Sequence, residues 1–322
     1  MESAVSPLGI LFSSIIIHKD FLSKPKYALH TLSINNIIQI PYQVSSNVQV
    51  INFHKFVNDS FKCINTKQIF NLIHTTICLH ESKDDIYVSN VFRDAVSIWE
   101  EEGVTQILKL LIRHSHLDFI DIGANIGTYT MYAAALGRFV LAIDCFAPNI
   151  NRLYRAVQLS NLANRVVLIE NAIVTRSGQY LNLKKESRNI GGQNVDVSQN
   201  VSITKNQINN PYIVRTITLD DLLPILVARG VRGAIMKVDI EGSESFVFES
   251  GSRVFDTLEI LCVKMEWSIT KGYPDRVRVI IDFFVKRNYD PKTLSCQSLN
   301  ITQYATWPVD IFWIKRNVSN FC

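Results

Sequence analysis

The stretch Phe119-Ile120-Asp121-Ile122-Gly123-Ala124-Asn125-Ile126-Gly127 constrains this chain more than any other. Residues 117–122 form an apolar run of the kind that makes a parallel strand buried on both faces. Gly123, Ala124 and Gly127 then make a turn of small residues, and residues 128–136 have helix-forming composition, stopped by Gly137. Strand, tight glycine turn and helix together open a nucleotide-binding βαβ unit. Gly123 is expected to let the backbone turn sharply and to leave main-chain atoms open to a ligand. Gly127 is expected to bring the start of the helix close to the strand.

The spacing of the turn separates two ligand classes. A dinucleotide fingerprint, G-x-G-x-x-G, needs its middle glycine beside the pyrophosphate, and here that place is held by Asn125. Asp121, just before the turn, repels a phosphate but suits an ammonium or a hydroxyl-rich group. S-adenosylmethionine carries an ammonium, a sulfonium and a ribose, and no phosphate. The pattern D-x-G-A-N-x-G therefore points to that ligand, with Asp121, Gly123, Asn125 and Gly127 as candidate binding residues. A second strand is expected over 139–143, closed by Asp144 about 20 residues past the turn, where a carboxylate accepts bonds from both ribose hydroxyls. A third, 166–169, runs into Glu170-Asn171-Ala172 and should end facing the adenine. Asn171 either reads the adenine edge or forms a turn.

Composition sets the outer bounds. With 322 residues, 47% of them hydrophobic and 19% charged, the chain has room for one large α/β domain plus an extension, and wholesale disorder is excluded. A net charge of +4, with no long basic run, argues against a nucleic-acid partner. Six cysteines include no C-x-x-C pair, so there is no zinc signature. Cys145 and Cys262 fall in or beside expected core strands, and disulfides are not indicated. N-x-[ST] sequons at Asn58, Asn200, Asn300 and Asn317 do not settle the compartment in so Asn- and Ser-rich a chain. Residues 7–17 are apolar but too short to span a bilayer, and they read best as a buried strand. A soluble cytoplasmic location is expected, with the secretory pathway as the alternative.

Residues 1–75 read as an N-terminal extension with brief apolar stretches at 34–40 and 48–53, ahead of a domain spanning 76–322. Strands are expected at 77–79 and 86–88, and helices at 104–114 and 150–161. Residues 178–217 break the βα rhythm. Two strands, 180–183 and 214–217, flank a polar insertion carrying Gly191-Gly192, of the length that makes a lid or substrate loop. Within it, Asn209-Asn210-Pro211-Tyr212 is a turn. A helix at 219–226, capped by Thr218, leads to Ala234-Ile-Met-Lys-Val-Asp-Ile-Glu-Gly242, where strand alternation puts Lys237, Asp239 and Glu241 on one side. Three charges there must face a cleft or one another. A fifth strand, 260–265, ends in Glu266. After a helix at 276–286, segments 293–297 and 310–315 should close the sheet in antiparallel fashion.

Taken together, Phe119–Gly127, Leu168-Ile-Glu-Asn-Ala172, Thr216-Ile-Thr-Leu-Asp-Asp-Leu-Leu223 and Met236-Lys-Val-Asp-Ile-Glu-Gly-Ser-Glu244 resemble the FkbM-type methyltransferase family in order and spacing, over residues 76–316. Gly191-Gly192 is similar to the family's Gly-rich insertion, and Trp99-Glu100 to an upstream element of its eukaryotic members. The resemblance implies a class I methyltransferase fold: a Rossmann-like α/β domain with a mostly parallel seven-stranded sheet and an antiparallel closing strand. It also implies S-adenosylmethionine as donor and O-methylation of a sugar or polyketide-type hydroxyl. The family usually ends its second strand with Glu-Pro, whereas this chain has Asp144-Cys145-Phe146-Ala147-Pro148, a shorter carboxylate and a later proline.

The expected partner is a glycan, lipid or small-molecule acceptor. Asp239 or Glu241 would take its proton while Lys237 holds or neutralises the pair. The same charges could instead form a structural ion-pair cluster, or Asp239 and Glu266 could hold a magnesium ion. A cofactor-binding module without catalysis and, behind it, a nicotinamide-dependent oxidoreductase are the competing functions.

Overall fold

A computed structural model describes residues 43–54, 60–186, 188–202, 207, 209–316 and 318. The segments 7–17 and 34–40 and the sequons at Asn58 and Asn317 lie outside the described residues. In chain order the strands are β1 (Cys63–Asn65), β2 (Thr76–Cys78), β3 (Asp118–Ile122), β4 (Val140–Asp144), β5 (Val166–Glu170), β6 (Ala172–Ile173), β7 (Tyr180–Lys184), β8 (Asn194–Asp196), β9 (Ile213–Ile217), β10 (Gly233–Val238), β11 (Glu259–Glu266), β12 (Tyr289–Lys292) and β13 (Asp310–Lys315). The helices are α1 (Val88–Val91), α2 (Glu101–Arg113), α3 (Thr128–Ala135), α4 (Ala147–Leu159), α5 (Leu223–Ala228), α6 (Glu244–Glu249), α7 (Ser252–Thr257) and α8 (Pro274–Lys286).

A seven-stranded sheet in the order β12-β13-β11-β10-β3-β4-β5 organises the fold. β13 runs antiparallel to both of its neighbours, and β11, β10, β3, β4 and β5 pair in parallel. The strand order reverses beside β3, so the carboxyl ends of β3, β4 and β10 surround the crevice where such sheets bind ligands. Each face of the sheet carries its own core. On β3, Phe119 packs with α2, α3 and α4, while Ile120 and Ile122 pack with the α5–α8 side. By the same alternation Asp121, Lys237 and Lys264 all point toward the α2–α3 face.

Several expectations need correcting. Residues 86–88 do not form a strand: the buried Asp85 carboxylate accepts the main-chain N–H groups of Val88 and Ser89 at 3.0 and 2.8 Å and starts α1 there. The first closing strand is 289–292 rather than 293–297. Tyr289 anchors it by burying its ring and donating to the Ile260 carbonyl, and Thr293–Gln297 folds back as a turn. Pro291 is tolerated because β12 is an edge strand. Residues 180–184 and 213–217 belong to a separate four-stranded sheet, β6-β9-β7-β8, built largely from the insertion.

Cys63 and Cys78 form a disulfide, because antiparallel pairing of β1 with β2 puts them directly opposite each other. Their spacing in the chain gave no hint of that hairpin. Cys296 is disulfide-bonded as well. The hairpin spans residue 75, and its Ile77 and Cys78 join the α2–α4 core. Residues 49–51 run along the outer edge of β5, with Ile51 donating to the Leu168 carbonyl and Glu170 to that of Gln49 at 2.9 and 3.0 Å, which covers an otherwise open edge. Among the described residues no helix is long and apolar enough to cross a membrane.

Candidate active site

One pocket lies at the carboxyl ends of β3, β4 and β10. Its wall includes Gly123, Asn125, Asp144, Lys237, Asp239 and Glu241. Asn171 and Ala172, after β5, line it as well. Its roof is the strap around Gly191, the part of the insertion expected to cover the site.

The turn after β3 is fixed by the protein itself. The N–H groups of Gly123 and Ala124 both donate to the Ile143 carbonyl at 2.9 Å. Gly123 has φ +77°, and a Cβ there would overlap the carbonyl oxygen of Asp239. The glycine thus lets β3 approach the loop after β10, and it lies on the pocket wall as well. Gly127, φ +94°, is needed because a Cβ would strike Leu153 of α4, so it sets helix against helix instead of helix against strand. Asn125 takes a left-handed conformation, which Asn tolerates, and its N–H donates to Asp144 Oδ2 at 2.8 Å.

Asp144 sits at the centre of this arrangement. Its Oδ1 accepts from the Phe146 N–H at 2.8 Å and from Asn149 Nδ2 at 3.3 Å. Burial outweighs these bonds and raises its pKa to about 6. Asn149, fully buried, also donates to the Gly191 carbonyl at 2.9 Å and pairs with His80 Nε2 at 2.8 Å, which ties the strap to Asp144.

Two expected residues have their polar groups engaged by the protein itself, Asp121 behind the wall and Asn171 on it. Asp121 is fully buried. It accepts from Thr130 Oγ1 at 2.6 Å and lies 3.9 Å from Lys237 Nζ. Burial raises its pKa against the pull of Lys237. Asn171 spends its amide on the chain: Oδ1 accepts from Gln49 N at 2.7 Å, and Nδ2 donates to the carbonyls of Asn47 and Arg215 at 3.1 Å each. It fastens residues 47–49 to the end of β5 and leaves the apolar Ala172 to face the pocket.

The charged strand end differs in detail from simple alternation. β10 stops at Val238, so Asp239 and Glu241 stand in the turn that follows it, with Glu241 at φ +57°. Glu244 holds that turn by accepting the N–H groups of Ile240 and Gly242 at 3.0 Å. Lys237 Nζ donates to the Gly123 carbonyl at 2.7 Å and pairs with Asp239 Oδ2 at 3.3 Å. Burial works against its charge, but Asp239 and Asp121 more than compensate and raise its pKa. Glu241 is raised to about 7 by burial and by the charges of Asp239 and Glu244.

The profile of the methyltransferase FkbM domain matches residues 121–291. The chain belongs to the FkbM methyltransferase family. It is an S-adenosylmethionine-dependent methyltransferase, and its fold is the class I methyltransferase fold. Among solved structures, an O-methyltransferase from Bacillus cereus in complex with SAH aligns at 12% identity over 72% of this chain and 91% of that one, TM-score 0.38. A precorrin-6y C5,15-methyltransferase from Geobacter metallireducens GS-15 aligns at 13% identity over 68% and 89%, TM-score 0.33. No curated protein gives a significant sequence match.

The residues of this FkbM methyltransferase fit the cofactor. Asp144 Oδ2 accepts one bond and keeps a lone pair for a ribose hydroxyl. Phe146, Ala172 and Ile173 offer an apolar slot beside it. Asp239 and Glu241 place carboxyl groups on the same wall, which would suit a sulfonium. Sequence reasoning did not find Tyr129, Asn149 or Lys264. Lys264 carried a signal, a lone lysine inside the apolar run Ile260-Leu-Cys-Val-Lys-Met265. Asn149 carried none, since a polar residue in a helix's first turn is ordinary.

Proposed function

We propose that this methyltransferase acts on a hydroxyl oxygen of a glycan, lipid or small molecule, with Glu241 taking the proton and Lys237 and Asp239 holding the turn that presents it. The observation that carries this reading is Glu241 itself: a carboxyl on the pocket wall whose pKa is raised to about 7, where a general base works best at neutral pH. S-adenosylmethionine supplies, when bound, a methyl group already activated on sulfur. The chain is left to position the acceptor, exclude water and remove a proton. Asp144 accepts the ribose hydroxyls, Ala172 borders the adenine, and Gly123, Asn125 and Gly127 shape the turn between them. Asp121 and Asn171 brace the turn and the β5 end from within. Lys237 links the two halves by holding the Gly123 carbonyl and Asp239 together.

The disulfide-bonded Cys63, Cys78 and Cys296 favour an oxidising compartment over the cytoplasm. The test is transfer of labelled methyl to pooled glycans, lipids and small phenols, followed by mild alkali. Label retained as an alkali-stable ether, and missing with Glu241→Gln, is the expected result. Label released as an ester, or found on nitrogen, overturns the hydroxyl reading.

A further inference from the structure

S-adenosylmethionine carries an α-ammonium that needs an anion, and Asp121 is walled off from the pocket by its own burial. Asp144 already accepts three bonds, and Asp239 is paired with Lys237. We propose that Glu100 receives the α-ammonium of the cofactor through Oε1. This rests on the cofactor site described above.

Glu100 lies on the pocket wall with Gly123 and Thr128, and its side chain is 23% exposed. Tyr129 Oη donates to its Oε2 at 2.6 Å, and Lys264 Nζ to the same oxygen at 2.8 Å. Both bonds fall on one oxygen, which orients the carboxylate and leaves the other for a donor in the pocket. Burial alone would raise its pKa, yet Lys264 and Lys237 bring it down to about 2, so it is a standing negative charge. Lys264 is fully buried and also pairs with Asp310 at 2.7 Å, so it is held in place to orient Glu100. Gly103 of α2 makes the arrangement possible, because a Cβ there would overlap the Tyr129 hydroxyl and come within 3.0 Å of Lys264 Cε.

The test is a four-cornered calorimetric cycle: parent and Glu100→Gln, each titrated with S-adenosylhomocysteine and with its analogue lacking only the α-amino group. The parent should bind the analogue roughly 10–100-fold more weakly, the scale of one charge-assisted hydrogen bond. Glu100→Gln should lose a similar factor for S-adenosylhomocysteine and almost none for the analogue. Gly103→Ala, which displaces the two groups that orient Glu100, should weaken S-adenosylhomocysteine and spare the analogue. If Glu100→Gln fails to fold, the two titrations of the parent and those of Gly103→Ala still decide. The same penalty for the missing amino group in every protein overturns the subsite alone. A parent that binds neither ligand overturns the cofactor site and this subsite together.

Discussion

Lys237 and Lys264 are neighbours in register on β10 and β11, both buried and both over the Tyr129 ring, 5.6 and 5.3 Å from its centroid. Their surroundings differ. Lys264 is gripped by Glu100 and Asp310 at 2.8 and 2.7 Å and lies away from the pocket wall. Lys237 sits on the wall with looser partners, Asp239 at 3.3 Å and Asp121 at 3.9 Å, and its shortest bond goes to the carbonyl of the glycine turn. One buried lysine closes the sheet onto α2. The other joins the glycine turn after β3 to the turn that carries Glu241. Burial alone does not tell a structural cation from a functional one; the tightness of its carboxylate shell and its place on the wall do.

The largest effect should come from breaking the tight shell. Lys264→Met leaves Glu100 and Asp310 without their counter-ion and should cost about 3–5 kcal/mol in urea unfolding. Lys237→Met should cost clearly less, because its carboxylates stand farther off, at 3.3 and 3.9 Å. It should weaken cofactor binding more than Lys264→Met does. Equal losses of stability would break the contrast.

Glu241→Gln sharpens it from the other side. Turnover should fall by roughly 10²–10⁴ while affinity for S-adenosylmethionine changes little, the signature of a lost base. The sequence offers Asp239 and Glu241 alike as the base; Asp239 is paired with Lys237, which is why Glu241 is the one proposed. Stability should move the opposite way. A carboxyl raised to about 7 stabilises the fold fully below the ordinary Glu range and loses that contribution as pH rises through 7. Melting temperatures of parent and variant should therefore diverge in the variant's favour as pH rises from the ordinary Glu range to about 7, and stay apart above it.

A smaller effect is expected from pH alone. Parent turnover should rise through about pH 7 as Glu241 ionises, and cofactor affinity should rise through about pH 6 as Asp144 ionises, in the field of Glu170 and Lys237. A flat affinity profile between pH 5 and 8 would remove Asp144 from the ribose contact.

Much of this was legible in the chain. The β3 run, Asp144 at the end of β4 and the charged end of β10 are local patterns, and local patterns report strands and their ends. What stayed hidden is long-range. Gly123 reads as room for a ligand, and nothing local in the chain tells that it also makes room for the Asp239 carbonyl. Asp121 reads as a ligand contact until Thr130 and Lys237 are seen to enclose it. The Cys63–Cys78 bond needed a hairpin that the short, weakly patterned strands β1 and β2 did not announce.

The most direct measurement is calorimetric titration of parent and Asp144→Ala with S-adenosylmethionine and, separately, with NAD, at pH 7.5. The parent should bind S-adenosylmethionine and bind NAD much more weakly. Asp144→Ala should lose about 1–3 kcal/mol for S-adenosylmethionine, the scale of charged hydrogen bonds to the ribose. A parent that binds both ligands equally, or an Asp144→Ala variant that binds S-adenosylmethionine like the parent, would contradict a cofactor held between the glycine turn of β3 and the end of β4.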